Sequence, residues 1–208
     1  MITKNISDNS TEFFENGCCL VPQILSRDCL ELLSVLVEMD EIHQSMGNSS
    51  EQVAGSREVY NTYTMRIINQ ILRHKVKSTL NIPSLYSTYT FYRKYFKDQC
   101  LQKHKDRPEC EISVTLCLDM DEPTNPWPVY FENPKQQTIY EGKPEVGDGI
   151  LYLGCVLPHW REECNQKWIK QLFLHYSLNG DLEFDSKNNH YNEADKVVNH
   201  FIRHLVEC

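Results

Sequence analysis

Residues 111–120 alternate between apolar and more polar side chains, and this pattern constrains the fold more than any other feature of the chain. Every second position is apolar: Ile112, Val114, Leu116, Leu118 and Met120. The intervening positions hold Glu111, Ser113, Thr115, Cys117 and Asp119. Because successive side chains of a strand point to opposite faces, the segment predicts a β-strand with one apolar face and one mixed face.

Several further segments have the aromatic and β-branched composition of strands, and helices precede them. The predicted strands cover residues 86–96, 129–132, 137–140, 150–155 and 167–176. Apolar residues recur at helical spacing in two earlier segments, residues 29–39 and 60–80. Helices followed by a run of antiparallel strands predict a mainly β fold with flanking helices, arranged as a barrel or a sandwich.

The length of the chain, 208 residues, suits one well-cored domain. We therefore expect residues 1–208 to form a single domain with three parts. Helical support occupies about residues 11–82, a β core about residues 83–180, and an amphipathic C-terminal helix about residues 192–206.

The charge balance and the cysteines restrict the partners and the compartment. The chain has 21 Lys and Arg against 29 Asp and Glu, and its net charge of −8 argues against a nucleic-acid binder. The longest apolar run, residues 149–158, is too short to span a membrane. The nine cysteines are odd in number and form no C-x-x-C pair, which with the polar first residues predicts reduced thiols in a cytoplasmic protein.

Three residues form a candidate metal site: His104, Asp106 and His159. His104 and Asp106 are two positions apart at the end of a predicted strand, so both side chains point the same way. His159 follows another predicted strand, as a second β-segment that delivers a third ligand requires. Two imidazoles and one carboxylate leave coordination positions open, which is typical of a non-haem Fe(II) oxygenase. A structural zinc site is instead closed, usually by thiolates.

The order of several spaced segments resembles the 2-oxoglutarate- and Fe(II)-dependent dioxygenases, in particular prolyl-hydroxylase-like enzymes and small bacterial and phage members. The segments are YRKYFKDQCLQKHKDRP (92–108), CEISVTLCLDM (110–120), Trp127-Pro128, GDGILYLGCVLPHWRE (147–162) and QLFLHYSLNG (171–180). The resemblance covers about residues 15–180. It implies a double-stranded β-helix, or jelly roll, over about residues 83–180, with His104, Asp106 and His159 as iron ligands at its open mouth. It also implies Fe(II), 2-oxoglutarate and O2, with ascorbate as a candidate reductant.

The same resemblance suggests which residues hold 2-oxoglutarate. Tyr95, nine residues before His104, matches a tyrosine that prolyl hydroxylases have there. Two cations compete for the far carboxylate of the cosubstrate. Lys167 begins the last predicted strand, as in prolyl hydroxylases, but at a spacing two residues shorter. Arg161 shares the face of His159 at i+2, small relatives carry the same HWRE sequence, and the planar guanidinium suits a carboxylate, so Arg161 is favoured.

These observations predict a dioxygenase that hydroxylates an unactivated C–H bond of an amino acid, a peptide or a related small substrate and releases succinate and CO2. Arg107 and Trp160 are candidate substrate contacts. Two alternatives stay open: a non-catalytic jelly-roll binding module, and a metal-dependent hydrolase that uses the same site with Glu162 or Glu163 as base. Prolyl peptides, free amino acids, peptide natural products and nucleobases are all candidate substrates.

Overall fold

The structure is a computed structural model that describes residues 1–44 and 52–180. The helices are α1 (Phe13–Asn16), α2 (Arg27–Gln44) and α3 (Tyr63–Thr79), and a 3-10 turn covers Ser10–Glu12. The strands are β1 (Ile2–Asn5), β2 (Cys18–Val21), β3 (Arg57–Tyr60), β4 (Tyr86–Phe96), β5 (Leu101–His104), β6 (Ile112–Met120), β7 (Val129–Asn133), β8 (Thr138–Gly142), β9 (Gly149–Tyr152), β10 (His159–Arg161) and β11 (Trp168–Ser177).

The strands form two sheets. The minor sheet has the order β1-β8-β7-β10-β5, and the major sheet has the order β2-β9-β6-β11-β4-β3. All pairings are antiparallel except that of β1 with β8. One cavity is lined by residues of both sheets. The structure is mainly β with flanking helices and confirms the predicted jelly roll.

Each strand predicted from the sequence is present, whereas several further short strands were not predicted. Strands β1, β3, β5 and β10 have only three or four residues each, too few to show a period. The first residues of the chain form β1 through parallel pairing with β8, an interaction with a distant segment. None of the described helices is both long and apolar enough to cross a membrane. The helix predicted at residues 192–206 lies outside the described residues.

Strand β6 is buried on both faces, although its sequence alternates. Its apolar face packs against α2 through the main core, which holds Val114, Leu116 and Leu118 together with residues of α3. Its other face, with Ser113 and Thr115, points towards the cavity between the sheets. The mixed face is therefore the one that meets the functional site, and the apolar face is covered by helices.

A bulge interrupts the alternation near the end of β6. Cys117 pairs with Gln171 and Asp119 with Lys170, so Leu118 is the extra residue. Met120 consequently lies in the inner cluster beside Cys117 and not on the face of Leu118. The prediction that Met120 shares the apolar face was wrong, because a bulge adds one residue and reverses the order of the faces.

Helix α2 covers the outer face of the major sheet with one of its sides. Leu33 is 1% exposed in the main core, whereas the adjacent Leu32 is 61% exposed. The apolar residues of this helix therefore divide between a buried and an exposed side. Helix α3 begins after Thr62, whose side-chain oxygen accepts a hydrogen bond from the Met65 N–H at 3.3 Å.

The neighbouring leucines of α2 provide a matched test of this packing. Leu33→Ala should lower the free energy of unfolding by about 2–5 kcal/mol, because it leaves a cavity in the main core. Leu32→Ala should change the same quantity by no more than about 0.5 kcal/mol, because its side chain is already in solvent. Urea unfolding followed by circular dichroism measures both, and equal losses would show that α2 packs by another face.

Candidate metal centre

Two histidines face one another on neighbouring strands of the minor sheet. His104 ends β5 and is the direct partner of His159, which begins β10. Their ring centroids are 4.3 Å apart. The pairing of β10 with β7 on its other side sets Phe131 opposite His159 and the rings stack, with centroids 5.8 Å apart. The sheet thus holds both imidazoles at one place in the cavity wall.

The carboxylate of Asp106 completes the group. Its Oδ1 lies 3.6 Å from His104 Nε2 and 3.5 Å from His159 Nε2. The three candidate ligand atoms all lie within 4.8 Å of one another. The arrangement brings together the three residues that the sequence analysis singled out, with one acceptor atom of each turned inward.

Backbone carbonyls orient both rings. The carbonyl of Gln102 is 2.8 Å from His104 Nδ1, and that of Leu157 is 2.9 Å from His159 Nδ1. A carbonyl oxygen can only accept, so each Nδ1 carries a proton and donates. Each Nε2 faces Asp106: it donates to the carboxylate when the ring is protonated, and in the neutral ring it keeps the lone pair that a metal needs.

The three groups also affect one another's charge. Burial raises the pKa of Asp106, but hydrogen bonds from His104 and His159 outweigh it and hold the pKa well below its usual range. Burial lowers the pKa of His104, and the hydrogen bond with Asp106 raises it to a net value above the usual one. The site therefore keeps an ionised carboxylate next to two imidazoles, as a cation site requires.

A second layer of contacts fixes the carboxylate. Asp106 N–H donates to the Gly154 carbonyl at 3.0 Å, and Ser113 Oγ lies 3.4 Å from Asp106 Oδ2. Ser113 Oγ also lies 2.9 Å from Nδ1 of His175. Burial lowers the pKa of His175 to about 4, so this ring is neutral at pH 7. Asp106 is thus held by the backbone and by the mixed face of β6.

The candidate ligand atoms of Asp106, Cys110 and His175 also lie within 4.8 Å of one another. Cys110 is buried, and burial raises the pKa of its thiol to about 12. Its sulfur lies 3.2 Å from the hydroxyl of Tyr89. A thiolate is the form that binds metals, so this second group is the poorer candidate.

Arg161 lies deep in the cavity wall with no carboxylate among its hydrogen-bond partners. Its guanidinium donates to the carbonyls of Trp127 at 2.8 Å and Pro128 at 3.4 Å, to Thr115 Oγ1 at 3.5 Å and to Gln171 Oε1 at 3.4 Å. All four acceptors are neutral. Burial lowers the pKa of Arg161, yet a guanidinium stays protonated in proteins. A full positive charge is therefore buried with only neutral hydrogen-bond acceptors among the described residues.

Further donors surround this buried charge. Gln171 is fully buried, and its Nε2 has no hydrogen-bond partner. The hydroxyl of Tyr95 is 3.3 Å from Nη1 of Arg93, and the Tyr95 ring packs edge-on against Trp127, over which Arg161 also lies. A carboxylate at this end of the cavity would meet the guanidinium of Arg161, which supplies the pairing that a buried anion needs.

The cavity has a volume of about 340 Å³ and includes most of the predicted site residues. His104, Asp106 and His159 line it, and so do Tyr95 and Arg161. Residues His159 and Arg161 are both buried while the residue between them is not, as their i+2 spacing predicted. Arg107 also contributes to the lining.

Two predicted residues lie elsewhere. The side chain of Lys167 is 77% exposed and its Nζ pairs with Asp121 at 3.3 Å, so Lys167 does not reach the cavity. Trp160 stacks on Tyr130 with centroids 5.5 Å apart and donates from Nε1 to Glu162 at 2.8 Å. Trp160 points to the outer face of the minor sheet, because it alternates with His159 on β10.

Sequence reasoning missed several residues that support the site. Ser113, Gln171 and Gly154 were not assigned a role, and neither was His175, whose Nδ1 lies 2.9 Å from Ser113 Oγ. The polar residues of the otherwise apolar β6 were the available signal, since a polar side chain in a strand buried on both faces needs a partner.

Gly154 leaves room for the Asp106 carboxylate, and this is testable. An added Cβ would lie 2.5 Å from Asp106 Oδ2 and 2.7 Å from the Cys110 carbonyl. Gly154→Ala should therefore displace the carboxylate and weaken Co(II) affinity about 10- to 100-fold, as loss of ligand support does. Titration of Co(II) absorption measures it. Gly180→Ala, where the nearest atoms are those of the Tyr86 ring, is the control; unchanged affinity in Gly154→Ala would contradict the assignment.

Comparison with known proteins finds similarity in structure alone. No family model and no curated protein sequence matches the chain. A prolyl-4-hydroxylase from Pseudomonas putida superposes with a TM-score of 0.62 at 13% identity, over 83% of this chain and 98% of the other. SnoK, a non-haem α-ketoglutarate-dependent carbocyclase of nogalamycin biosynthesis, superposes with a TM-score of 0.66 at 11% identity, over 91% of each chain.

A third similar structure holds ligands. It is HygX from Streptomyces hygroscopicus with nickel, 2-oxoglutarate and hygromycin B bound, with a TM-score of 0.62 at 12% identity, over 81% of this chain and 86% of the other. The identities are low, but the shared part is nearly the whole of each chain. The chain therefore has the jelly-roll fold of the 2-oxoglutarate- and Fe(II)-dependent oxygenases.

Proposed function

We propose that this protein is an Fe(II)- and 2-oxoglutarate-dependent dioxygenase that hydroxylates a C–H bond of a small or peptide substrate. One observation carries the proposal: a His, Asp, His group lies in the wall of the same cavity as a buried arginine without a carboxylate partner. The group suits a divalent cation, and the arginine suits a dicarboxylate that extends from that cation. The fold and the ligands bound in the similar HygX structure support this reading.

Each element of the site has a role in the proposed reaction. His104, Asp106 and His159 bind the iron through Nε2, one carboxylate oxygen and Nε2. Arg161 binds the far carboxylate of 2-oxoglutarate, and Tyr95 lines the same end of the cavity. Iron and 2-oxoglutarate, when bound, supply the activation of O2, so that one oxygen atom enters the substrate C–H bond and the other enters succinate as CO2 is released.

The protein also shields the reaction from water. Aromatic rings line much of the cavity, including Tyr89, Phe91, Phe131, Tyr152 and Phe173. Neutral His175 and Ser113 hold the Asp106 carboxylate without adding a net charge. Aromatic walls limit the contact of reactive species with water, which a hydroxylase needs more than a hydrolase does.

Among the described residues, the hydrolase alternative has no second carboxylate in the cavity to serve as base. Glu162 accepts a hydrogen bond from Trp160 on the outer face of the minor sheet, and Glu163 is exposed. Among the described residues that line the cavity, Asp106 is the only carboxylate, and the proposal assigns it to the metal. A general base must reach the water that it activates. The cavity therefore favours oxygenase chemistry, and succinate release separates an enzyme from a non-catalytic module.

The three proposed ligands should be required together. His104→Ala, Asp106→Ala and His159→Ala should each abolish Fe(II)-supported conversion of 2-oxoglutarate to succinate, because two remaining ligands cannot hold the metal in position. Succinate is measured by mass spectrometry, and circular dichroism checks that each variant is folded. His43→Ala, an exposed histidine on α2, is the matched control and should keep full turnover. Near-native turnover in any ligand variant with saturating iron would overturn the assignment.

The two candidate cations can be ranked by cosubstrate binding. Arg161→Gln should raise the Kd of the Mn(II)-loaded protein for 2-oxoglutarate about 10- to 100-fold, because the substitution removes charge-assisted hydrogen bonds to a buried carboxylate. Lys167→Gln should change the Kd by less than about twofold, because the lysine is in solvent beside Asp121. Anaerobic calorimetry measures both, and the reverse ranking would transfer the role to Lys167.

A further inference from the structure

The inner face of β4 spans the cavity from one end to the other. Tyr89, Phe91, Arg93 and Tyr95 lie at every second position and all line the cavity. Tyr95 is at the end that holds Arg161, whereas Tyr89 is six residues away, about 20 Å along the strand. The two tyrosines thus mark two separate ends of the cavity.

The Tyr89 end holds an exposed arginine. The guanidinium of Arg107 lies 4.4 Å from the Tyr89 ring centroid and is hydrogen-bonded to the hydroxyls of Tyr89 and Tyr60. The Tyr60 and Tyr89 rings are 5.6 Å apart, and Tyr89 stacks on His175 at 4.4 Å. These contacts orient the guanidinium at the rim of the cavity, beside a flat aromatic surface.

The charges of the cavity contrast with those of the whole chain. The chain carries a net charge of −8, yet four basic side chains line the cavity: Arg93, Lys105, Arg107 and Arg161. Asp106 is the only carboxylate in this lining among the described residues. Arg93 forms an ion pair with Glu58, and the proposed function assigns Arg161 to 2-oxoglutarate. Lys105 and Arg107, both exposed, make the mouth positive.

The volume of the cavity limits what else it can hold. About 340 Å³ is at the small end of the range of about 300–1,000 Å³ for ligand pockets. Part of this space must take 2-oxoglutarate. What is left fits a small molecule or one end of a longer one, with an apolar part of the size of an aromatic ring.

We propose that the substrate is a small anion whose carboxylate or phosphate group binds Arg107 and Lys105 at the mouth, while its apolar part packs on the exposed ring of Tyr60. This inference rests on the proposed function for its assignment of the deep end to 2-oxoglutarate. It narrows the substrate class, because an amine would find only Asp106 as a counter-charge and the metal claims that carboxylate. A planar guanidinium with a neighbouring aromatic face suits an anionic group attached to a ring or chain.

Binding of four probes of matched size tests the inference without turnover. The probes are 3-phenylpropionate, phenyl phosphate, neutral 3-phenylpropanamide and 2-phenylethylammonium, titrated by calorimetry into anaerobic protein loaded with Mn(II) and 2-oxoglutarate. Both anions should bind at least about tenfold more tightly than the amide, because each gains a charge-assisted interaction. The ammonium should bind most weakly. The order of the two anions tells a carboxylate substrate from a phosphate ester.

Variants locate the anion. Arg107→Gln should reduce the preference for 3-phenylpropionate over the amide to less than about threefold, and Arg107→Lys should retain most of it because the charge stays. Arg27→Gln, an exposed arginine of α2 paired with Glu31, is the matched control and should leave the preference unchanged. Equal binding of anion and amide by the wild-type protein, or an unchanged preference in Arg107→Gln, would overturn the inference.

A second arm separates this inference from the proposed function. The same titrations are run on metal-free Arg161→Gln protein, in which the deep cation is absent and 2-oxoglutarate is not needed. A preference for anions that Arg107→Gln removes in this background supports the mouth site even if no succinate is ever produced. If Arg161→Gln protein shows no preference for anions while protein with Arg161 binds 2-oxoglutarate normally, the mouth site is overturned and the oxygenase proposal stands.

Discussion

The antiparallel pairing of β10 between β5 and β7 is the interaction on which the site depends. This three-residue strand brings His159 opposite His104 on one side and opposite Phe131 on the other. Because side chains alternate, His159 and Arg161 both enter the cavity while Trp160 stays outside. A slip of one residue would reverse all three and remove a candidate ligand and the buried cation together. The metal centre and the buried cation are thus set by one register.

Because polar side chains line the inner face of the major sheet, the main hydrophobic core lies on its outer face. Ser113, Thr115 and Gln171 occupy the inner face of the major sheet. The outer face must then supply the main hydrophobic core, and α2 and α3 cover it. The helices before the β core are therefore part of what allows the inner face to be polar.

The sequence predicted features that depend on neighbouring residues and did not predict features that depend on distant ones. A period of two is a property of neighbouring residues, so β4, β6 and β11 were predicted, and the i+2 spacing correctly put Arg161 on the face of His159. The same alternation places Trp160, a predicted substrate contact, on the opposite face of β10. Lys167 pairs with Asp121, a residue 46 positions earlier, and no local pattern indicates that contact.

Other parts of the site depend on contacts between distant segments, which no local pattern reveals. Gln171 meets Thr115 and Arg161 only after β11 has paired with β6, and the bulge at Leu118 decides which residues of that strand face inward. The role of Gly154 is visible only as the space that the Asp106 carboxylate fills. These residues support the site through contacts with distant segments, so the residues next to them in the sequence do not indicate their roles.

The arginines at the two ends of the cavity differ in their exposure to solvent, and this difference sets how strongly each attracts an anion. Arg161 is desolvated and has only neutral acceptors, so the folded protein carries a cost that a bound carboxylate offsets. An anion at this end therefore gains more than it would in water, because the low dielectric strengthens the attraction. Arg107 is exposed at the rim and carries little desolvation cost, so it adds attraction and orientation with less binding energy. The buried Arg161 therefore favours a dicarboxylate at the deep end, and the exposed Arg107 favours a substrate anion at the mouth.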